Sequence, residues 1–264
     1  MSSVTLRLLL PPSVGAARAR ARAELLDQSL RADLAEAVEI EVASGYGELA
    51  SRVEAGGTDL VWMPPTICAR LEPQLRRIYK CVRYGGTTYR SALVTRQGEI
   101  TSIEQLRGKR AAWVDRLSVG GYLLGAAELR RAGIDPERDL ASESFVGSYP
   151  DALAALLENE ADFAAISVRD ETLGALRDAL AAHGGKPAAD RLISVRTTRS
   201  SPNDAVGVTR ALDERRAERL ARRVFETEGT RSRAALCLAL EAEGFTRADP
   251  EEYEALRRML PRPR

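Results

Sequence analysis

The chain has 264 residues, of which 39 are Lys or Arg and 38 are Asp or Glu, so its formal net charge is +1. Because the charges balance and 44% of the residues are hydrophobic, the composition excludes a disordered chain and a dedicated nucleic-acid-binding protein. With 3 Cys and 1 His, it also argues against a disulfide framework and a metal site rich in Cys or His. We expect a globular protein of one large domain or two lobes, with no metal and no cofactor.

The N-terminal part of the chain alternates short β-rich segments with helical periods. The predicted strands are Thr5–Leu10, Val38–Ala43, Asp59–Trp62, Arg76–Arg83 and Arg90–Thr95. The predicted helices are Ala17–Leu34 and Tyr46–Ala55. The third strand has to stop before Pro64 and Pro65, because proline has no N–H to donate to a sheet.

The rest of the chain repeats this alternation after a capping box at Ser102–Gln105. Further strands are predicted at Arg110–Asp115, Leu140–Val146, Phe163–Val168, Leu192–Thr197 and Ala205–Val208. Helices are predicted at Gly120–Ala132, Pro150–Glu158, Glu171–His183, 212–226, 230–242 and 250–260. Strands that alternate with helices in this way predict an α/β fold with mostly parallel sheets. His183 is interpreted as a solvated residue before a glycine helix cap.

The chain contains no linker rich in Pro, Gly or Ser, so two lobes would have to be joined by ordinary strands. Two segments suit such crossings, one near residues 89–95 and the other near 194–203. The predicted division is a discontinuous lobe 1 of residues 1–90 plus 200–264, and a lobe 2 of residues 91–199.

One motif suits an anionic ligand: Asp115-Arg-Leu-Ser118-Val119-Gly120-Gly121-Tyr122 follows a strand and opens a helix. Free N–H groups and the helix dipole at such a point attract negative charge, and glycines let a ligand approach the backbone. The alternative is a flexible turn between strand and helix.

Two further turns resemble ligand-binding positions, because ligands of open α/β sheets bind where strands end and helices begin. Gly147-Ser148-Tyr149 precedes a helix, and Ser200-Ser201-Pro202-Asn203-Asp204 precedes a strand. Asp204 could face a ligand amine or only cap a turn. Tyr46, Tyr89 and Tyr149 suit the walls of a small-molecule site, with packing residues as the alternative.

The order of these motifs resembles the phosphate/phosphite/phosphonate-type substrate-binding proteins of ABC transporters, over nearly the full chain. The densest stretches are Tyr89-Arg-Ser-Ala-Leu-Val-Thr95 and Ile103-Glu-Gln-Leu-Arg-Gly-Lys-Arg-Ala-Ala-Trp-Val-Asp115, followed by Val146-Gly-Ser-Tyr149 and Pro202-Asn-Asp204. The resemblance implies a two-lobed type II periplasmic-binding-protein fold, with mixed sheets flanked by helices and a cleft between the lobes.

By position, the resemblance implies a ligand site formed by Tyr46, Tyr89, Ser118, Val119, Gly120, Gly121, Tyr149 and Asp204. The chain departs from the family at two points. A Ser-Thr-Ser-Gly run is usual at the helix start, where this chain has Ser118-Val119-Gly120-Gly121, and the usual His is Tyr149. Each charge-assisted hydrogen bond lost in this way would weaken phosphonate binding by about 1.5–3 kcal/mol. The resemblance therefore predicts the fold of this chain better than it predicts the ligand.

The favoured function is non-catalytic binding of a small anionic or zwitterionic molecule by cleft closure, as a solute-binding or sensor-type protein. No signal peptide or membrane segment is seen, so the expected location is cytoplasmic, or periplasmic if the sequence was trimmed. A protein partner is possible, and neither nucleic-acid binding nor membrane insertion is expected. The alternatives are a cytoplasmic lyase or dehydratase, with Asp115, Asp204 or a Tyr as acid or base, and a degenerate scaffold for protein interaction.

Overall fold

The computed structural model describes residues 5–11 and 16–258. The strands are β1 Thr5–Leu10, β2 Ala37–Val42, β3 Leu60–Met63, β4 Leu75–Val82, β5 Thr88–Arg96, β6 Arg110–Trp113, β7 Ser142–Phe145, β8 Phe163–Val168, β9 Leu192–Thr197, β10 Ser201–Pro202, β11 Ala205–Thr209 and β12 Gly244–Arg247. The helices are α1 Ala16–Leu34, α2 Tyr46–Glu54, α3 Pro65–Leu71, α4 Leu124–Arg131, α5 Pro136–Asp139, α6 Tyr149–Leu157, α7 Leu173–Arg191, α8 Glu214–Ala221, α9 Arg231–Leu240 and α10 Glu254–Arg257. Single turns of π-helix, Val119–Leu123 and Arg222–Glu226, precede α4 and follow α8.

The chain forms two compact units, unit 1 from Met1–Thr87 with Pro202–Arg264 and unit 2 from Thr88–Ser201. Unit 1 holds a sheet of order β12-β4-β11-β3-β1-β2. In it β1 runs parallel to β2 and β3, whereas β11 is antiparallel to both β3 and β4. The second sheet has the order β10-β5-β8-β6-β7, with β9 also paired to β5.

The mixed sheets that the family resemblance implied are confirmed, and the expectation of mostly parallel sheets is wrong. In the sheet of unit 1, three of the five strand pairings are antiparallel. In unit 2, β6 is parallel to β7 and β8, but β5 is antiparallel to β8 and β9. Two of the reversed strands, β5 and β11, are next to the crossings between the units, and the third, β12, pairs with β4 near the end of the chain. The chain leaves unit 1 after β4 and returns to it through β11, so these two neighbours run in opposite directions. The fold is therefore mixed α/β.

Each sheet buries its own apolar core. In unit 1 the side chains of Leu6, Leu8 and Leu10 alternate along β1 and pack in one cluster with residues of α8 and α9. In unit 2 the cluster joins β5 and β8 to α6 and α7, with Leu153 and Leu180 fully buried.

Local structure differs from the predicted elements at a few points. Helix α3 and strand β12 were not predicted: α3 starts at Pro65, which proline permits in a first helical turn, and β12 forms by antiparallel pairing with β4. Gly185 (φ 68°) breaks α7 just after the predicted helix end, and helix then resumes to Arg191. The end of the predicted last helix, Met259–Leu260, lies outside the described residues. Within the described ranges, every helix is too short or too polar to cross a bilayer.

Candidate functional site

The helix start at residues 118–123 lies in unit 2, at the end of the loop that follows β6. Ser118 caps it, since its Oγ accepts a hydrogen bond from the Gly121 N–H at 3.1 Å. The first turn is π-helical: the N–H of Leu124 donates to the carbonyl of Val119, five residues back. Such turns are frequent at functional sites. The sequence predicted this helix start, but not the wider turn.

Two backbone N–H groups at this helix start are available. Those of Val119 and Gly120 have no hydrogen-bond acceptor among residues 5–11 and 16–258, while Gly121 is capped by Ser118. Both residues are buried. The first N–H groups of a helix have no partner within it, and together with the dipole they favour a bound anion.

Tyrosine side chains pack around Gly120. A Cβ built on Gly120 would lie 2.7 Å from the Oη of Tyr149, and 3.1 Å from both Tyr89 Cε2 and Ser167 Cβ. Glycine is therefore required here by close approach. The ring of Tyr149 also packs on His183, with centroids 4.8 Å apart. Tyr149, Tyr89 and His183 are half-buried, so His183 belongs to this neighbourhood and is not simply a solvated cap.

Two serines at this site were missed by sequence reasoning. Ser91 is fully buried, and its Oγ donates to the carbonyl of Gly120 at 2.6 Å. Ser91 and Ser167 are direct partners in the antiparallel pairing of β5 and β8. Ser167 is the one polar residue of β8, which is a signal that the sequence offers, whereas Ser91 lies in a strand that also carries Thr and Arg side chains. Only the register shows that the two serines adjoin.

The predicted site residues fall into two groups. Unit 2 brings together Tyr89, Ser118, Val119, Gly120, Gly121 and Tyr149. Tyr46, which begins α2 and is half-buried, belongs to unit 1, as does Asp204. Asp115, an alternative acid or base, accepts a hydrogen bond from the Leu117 N–H at 2.7 Å and so stabilises the loop before Ser118.

Asp204 is already paired within unit 1. Its carboxylate accepts a hydrogen bond from the indole N–H of Trp62 and forms an ion pair with Arg83. A second guanidinium nitrogen of Arg83 lies 3.1 Å from Asp204 Oδ2, so the contact is bidentate. The same guanidinium donates to the carbonyl of Leu240 at 2.6 Å. Binding of a ligand amine by Asp204 stays a prediction. Even with no ligand, its carboxylate is paired with the guanidinium group of Arg83.

Two buried thiols, those of Cys68 and Cys81, lie near Asp204. Burial raises the pKa of the Cys81 thiol well above its usual value, and the negative charge of Asp204 raises it further. Burial likewise raises the pKa of the Cys68 thiol. Both thiols are therefore protonated at neutral pH and are not nucleophiles. Nowhere in the described part of the chain do three or more His, Cys, Asp or Glu side chains form a group that could hold a metal ion.

The family described as ABC transporter, phosphonate, periplasmic substrate-binding protein matches residues 8–253. Among solved structures, XAC2383 from Xanthomonas citri, bound to chloride, has a TM-score of 0.80 at 20% identity, covering 97% of this chain and 95% of that one. A phosphonate transporter binding component from Pseudomonas aeruginosa has a TM-score of 0.79 at 15% identity, covering 98% and 86%. PhnD1 from Prochlorococcus marinus, in complex with methylphosphonate, has a TM-score of 0.76 at 14% identity, covering 97% and 96%.

These likenesses establish the type II periplasmic-binding-protein fold. A curated relative is the tetrathionate sensor histidine kinase TtrS of Salmonella typhimurium, which is 42% identical over 74 residues. That match covers 28% of this chain and 12% of the kinase.

Proposed function

The chain belongs to the family of phosphonate ABC transporter substrate-binding proteins, and from that premise we propose that it is a non-catalytic protein that binds a small oxyanion at the helix start in unit 2. The observation that carries this proposal is the pair of buried N–H groups of Val119 and Gly120, which have no acceptor among the described residues. Hydrogen bonds from such groups to a charged ligand contribute about 1.5–3 kcal/mol each.

The surrounding side chains narrow the ligand class. Tyr149 and Tyr89 supply aromatic surface and hydroxyls beside Gly120, where the family's usual pattern has further hydroxyls and a His. We propose that this ligand is a phosphonate, a phosphate-like or sulfur oxyanion, or a carboxylate.

A role in sensing is the second part of the proposal. The partial similarity to TtrS, a sensor kinase, favours a protein that reports ligand binding over one that only delivers a solute. The chain spans 12% of the length of that relative, so the kinase's own activity is not transferred. Three further expectations stay predictions: movement at the two crossings, a cytoplasmic location and a protein partner.

The test is titration calorimetry with methylphosphonate, phosphate, phosphite, sulfate, tetrathionate and acetate. The informative variant is Val119→Pro, because Val119 is the first helical residue, where proline removes one N–H and still fits a helix. Ser118 before it is extended (φ −72°, ψ 117°), as a residue preceding proline prefers.

We expect one of these anions to bind the wild-type protein and Val119→Pro to lose roughly tenfold or more in affinity, the loss of one charge-assisted hydrogen bond. The matched control is Leu173→Pro at the first residue of α7, also in unit 2, with an exposed side chain and an extended residue before it. Binding that survives Val119→Pro unchanged, or is lost equally in Leu173→Pro, would contradict the assignment.

A further inference from the structure

A second site for anions is suggested by the outer face of α8 and the π-turn that follows it, on unit 1. The side chains of Arg215, Arg219, Arg222, Arg223, Glu218 and Thr227 line an open cavity of about 400 Å³. This volume lies within the range of small-molecule sites, roughly 300–1,000 Å³.

The segment is amphipathic. Ala217, Leu220, Ala221 and Val224 are buried in the core of unit 1, and the four arginines are exposed on the other side. The arginine positions recur at the spacing of helical turns, so their guanidinium groups form one stripe. From residue 215 to residue 223 the stripe is roughly 12 Å long, at about 1.5 Å per residue.

The charges of this stripe are mostly unneutralised. Within the described part of the chain, no carboxylate lies within ion-pair distance of Arg215, Arg222 or Arg223. Glu218, the acid that lines the cavity, is engaged by Arg77. Glu36 pairs with Arg219 at 2.9 Å and with Arg216 at 2.7 Å. Like charges four residues apart on a helix repel, so a bound polyanion would stabilise this segment.

We propose that this stripe, Arg215, Arg219, Arg222 and Arg223, binds a linear oligophosphate, either inorganic triphosphate or the phosphate chain of a nucleotide. Guanidinium groups bind phosphate oxygens in pairs through their fork of N–H donors, and a row of them matches a row of phosphoryl groups. The hydroxyl of Thr227 supplies one more donor at the rim. This site is separate from the helix start at residues 118–121 and does not depend on the function proposed there.

The experiment measures binding of inorganic tripolyphosphate, ATP and phosphate to the full chain at fixed ionic strength. The main variant is Arg215→Gln/Arg222→Gln/Arg223→Gln. Its matched control is Arg138→Gln/Arg177→Gln/Arg196→Gln, which removes the same charge from exposed positions of unit 2. Arg215→Lys/Arg222→Lys/Arg223→Lys keeps the charge but removes the forked donors. Melting temperatures verify that each variant is folded.

We expect tripolyphosphate to bind more tightly than phosphate, with an affinity that falls as salt rises. The Gln variant should lose roughly 30-fold or more in affinity, the Lys variant less, and the control less than about threefold.

Similar affinities for tripolyphosphate and ATP would support a phosphate-chain site. The proposal is overturned if the control variant weakens binding as much as the Gln variant, if the Gln variant binds normally, or if ATP binds and tripolyphosphate does not.

Discussion

The Asp204 cluster of unit 1 and the helix start of unit 2 are both predicted from sequence as ligand sites, and the structure treats them differently. At Asp204 the protein supplies the partners itself, through Trp62 and Arg83. At the helix start, two N–H groups lack a partner among the described residues. The difference teaches that a polar residue in the right place marks a binding site only when its neighbours leave its hydrogen-bonding capacity unused.

The largest effect should follow from Asp204→Ala, which leaves Arg83 without its carboxylate in a partly buried position. Loss of one partner from such a pair costs about 3–5 kcal/mol when fully buried, and we expect about 3 kcal/mol in urea unfolding. The double variant Arg83→Met/Asp204→Leu should recover part of this loss. If Asp204→Ala lowers the free energy of unfolding by less than about 1 kcal/mol, the ion pair acts as a surface contact. The contrast drawn between Asp204 and the helix start would then be wrong.

A middle-sized effect is expected from Gly120→Ala, whose new methyl group would lie 2.7 Å from Tyr149 Oη. Overpacking of this kind costs about 1–3 kcal/mol and should also weaken ligand binding. The control is Gly47→Ala in α2, where nothing lies within 4 Å of the added Cβ. Because alanine favours a helix more than glycine does, Gly47→Ala should raise the free energy of unfolding by up to about 1 kcal/mol. Equal unfolding free energies for the two variants would show that Gly120 is not closely packed.

The smallest effect should come from Ser91→Ala, which removes the hydroxyl that donates to the Gly120 carbonyl. We expect a loss of about 1–2 kcal/mol in unfolding free energy, the cost of an unsatisfied buried acceptor. Ser194→Ala is the matched control, because the buried Oγ of Ser194 has no hydrogen-bond partner in the described structure. That change should be neutral or slightly stabilising, and a larger loss there than at Ser91 would contradict the role given to Ser91.

Local patterns were sufficient to predict most strands and helices, including β1, β8 and β9 at their observed bounds. Patterns within one segment do not contain strand direction, so the antiparallel pairings of β5 and β11 were missed. The same reason applies to the site. The contact of Tyr149 with His183, the pairing of Ser91 with Ser167 and the neutralisation of Asp204 by Arg83 each join residues that are distant in sequence.

The discontinuity of unit 1 has a consequence for the order in which the protein acquires structure during synthesis on the ribosome. Unit 2 is one continuous segment, Thr88–Ser201, and all its strand partners are available once that segment has emerged. In unit 1, β3 and β4 can pair with β11 only after β11 has been synthesised. Arg83 likewise gains its hydrogen-bond partners Asp204 and Leu240 only late in synthesis. Closing loops of that length delays pairing. A released fragment that ends at residue 201 should therefore protect its segment 88–201 from proteolysis, while its first 87 residues remain susceptible.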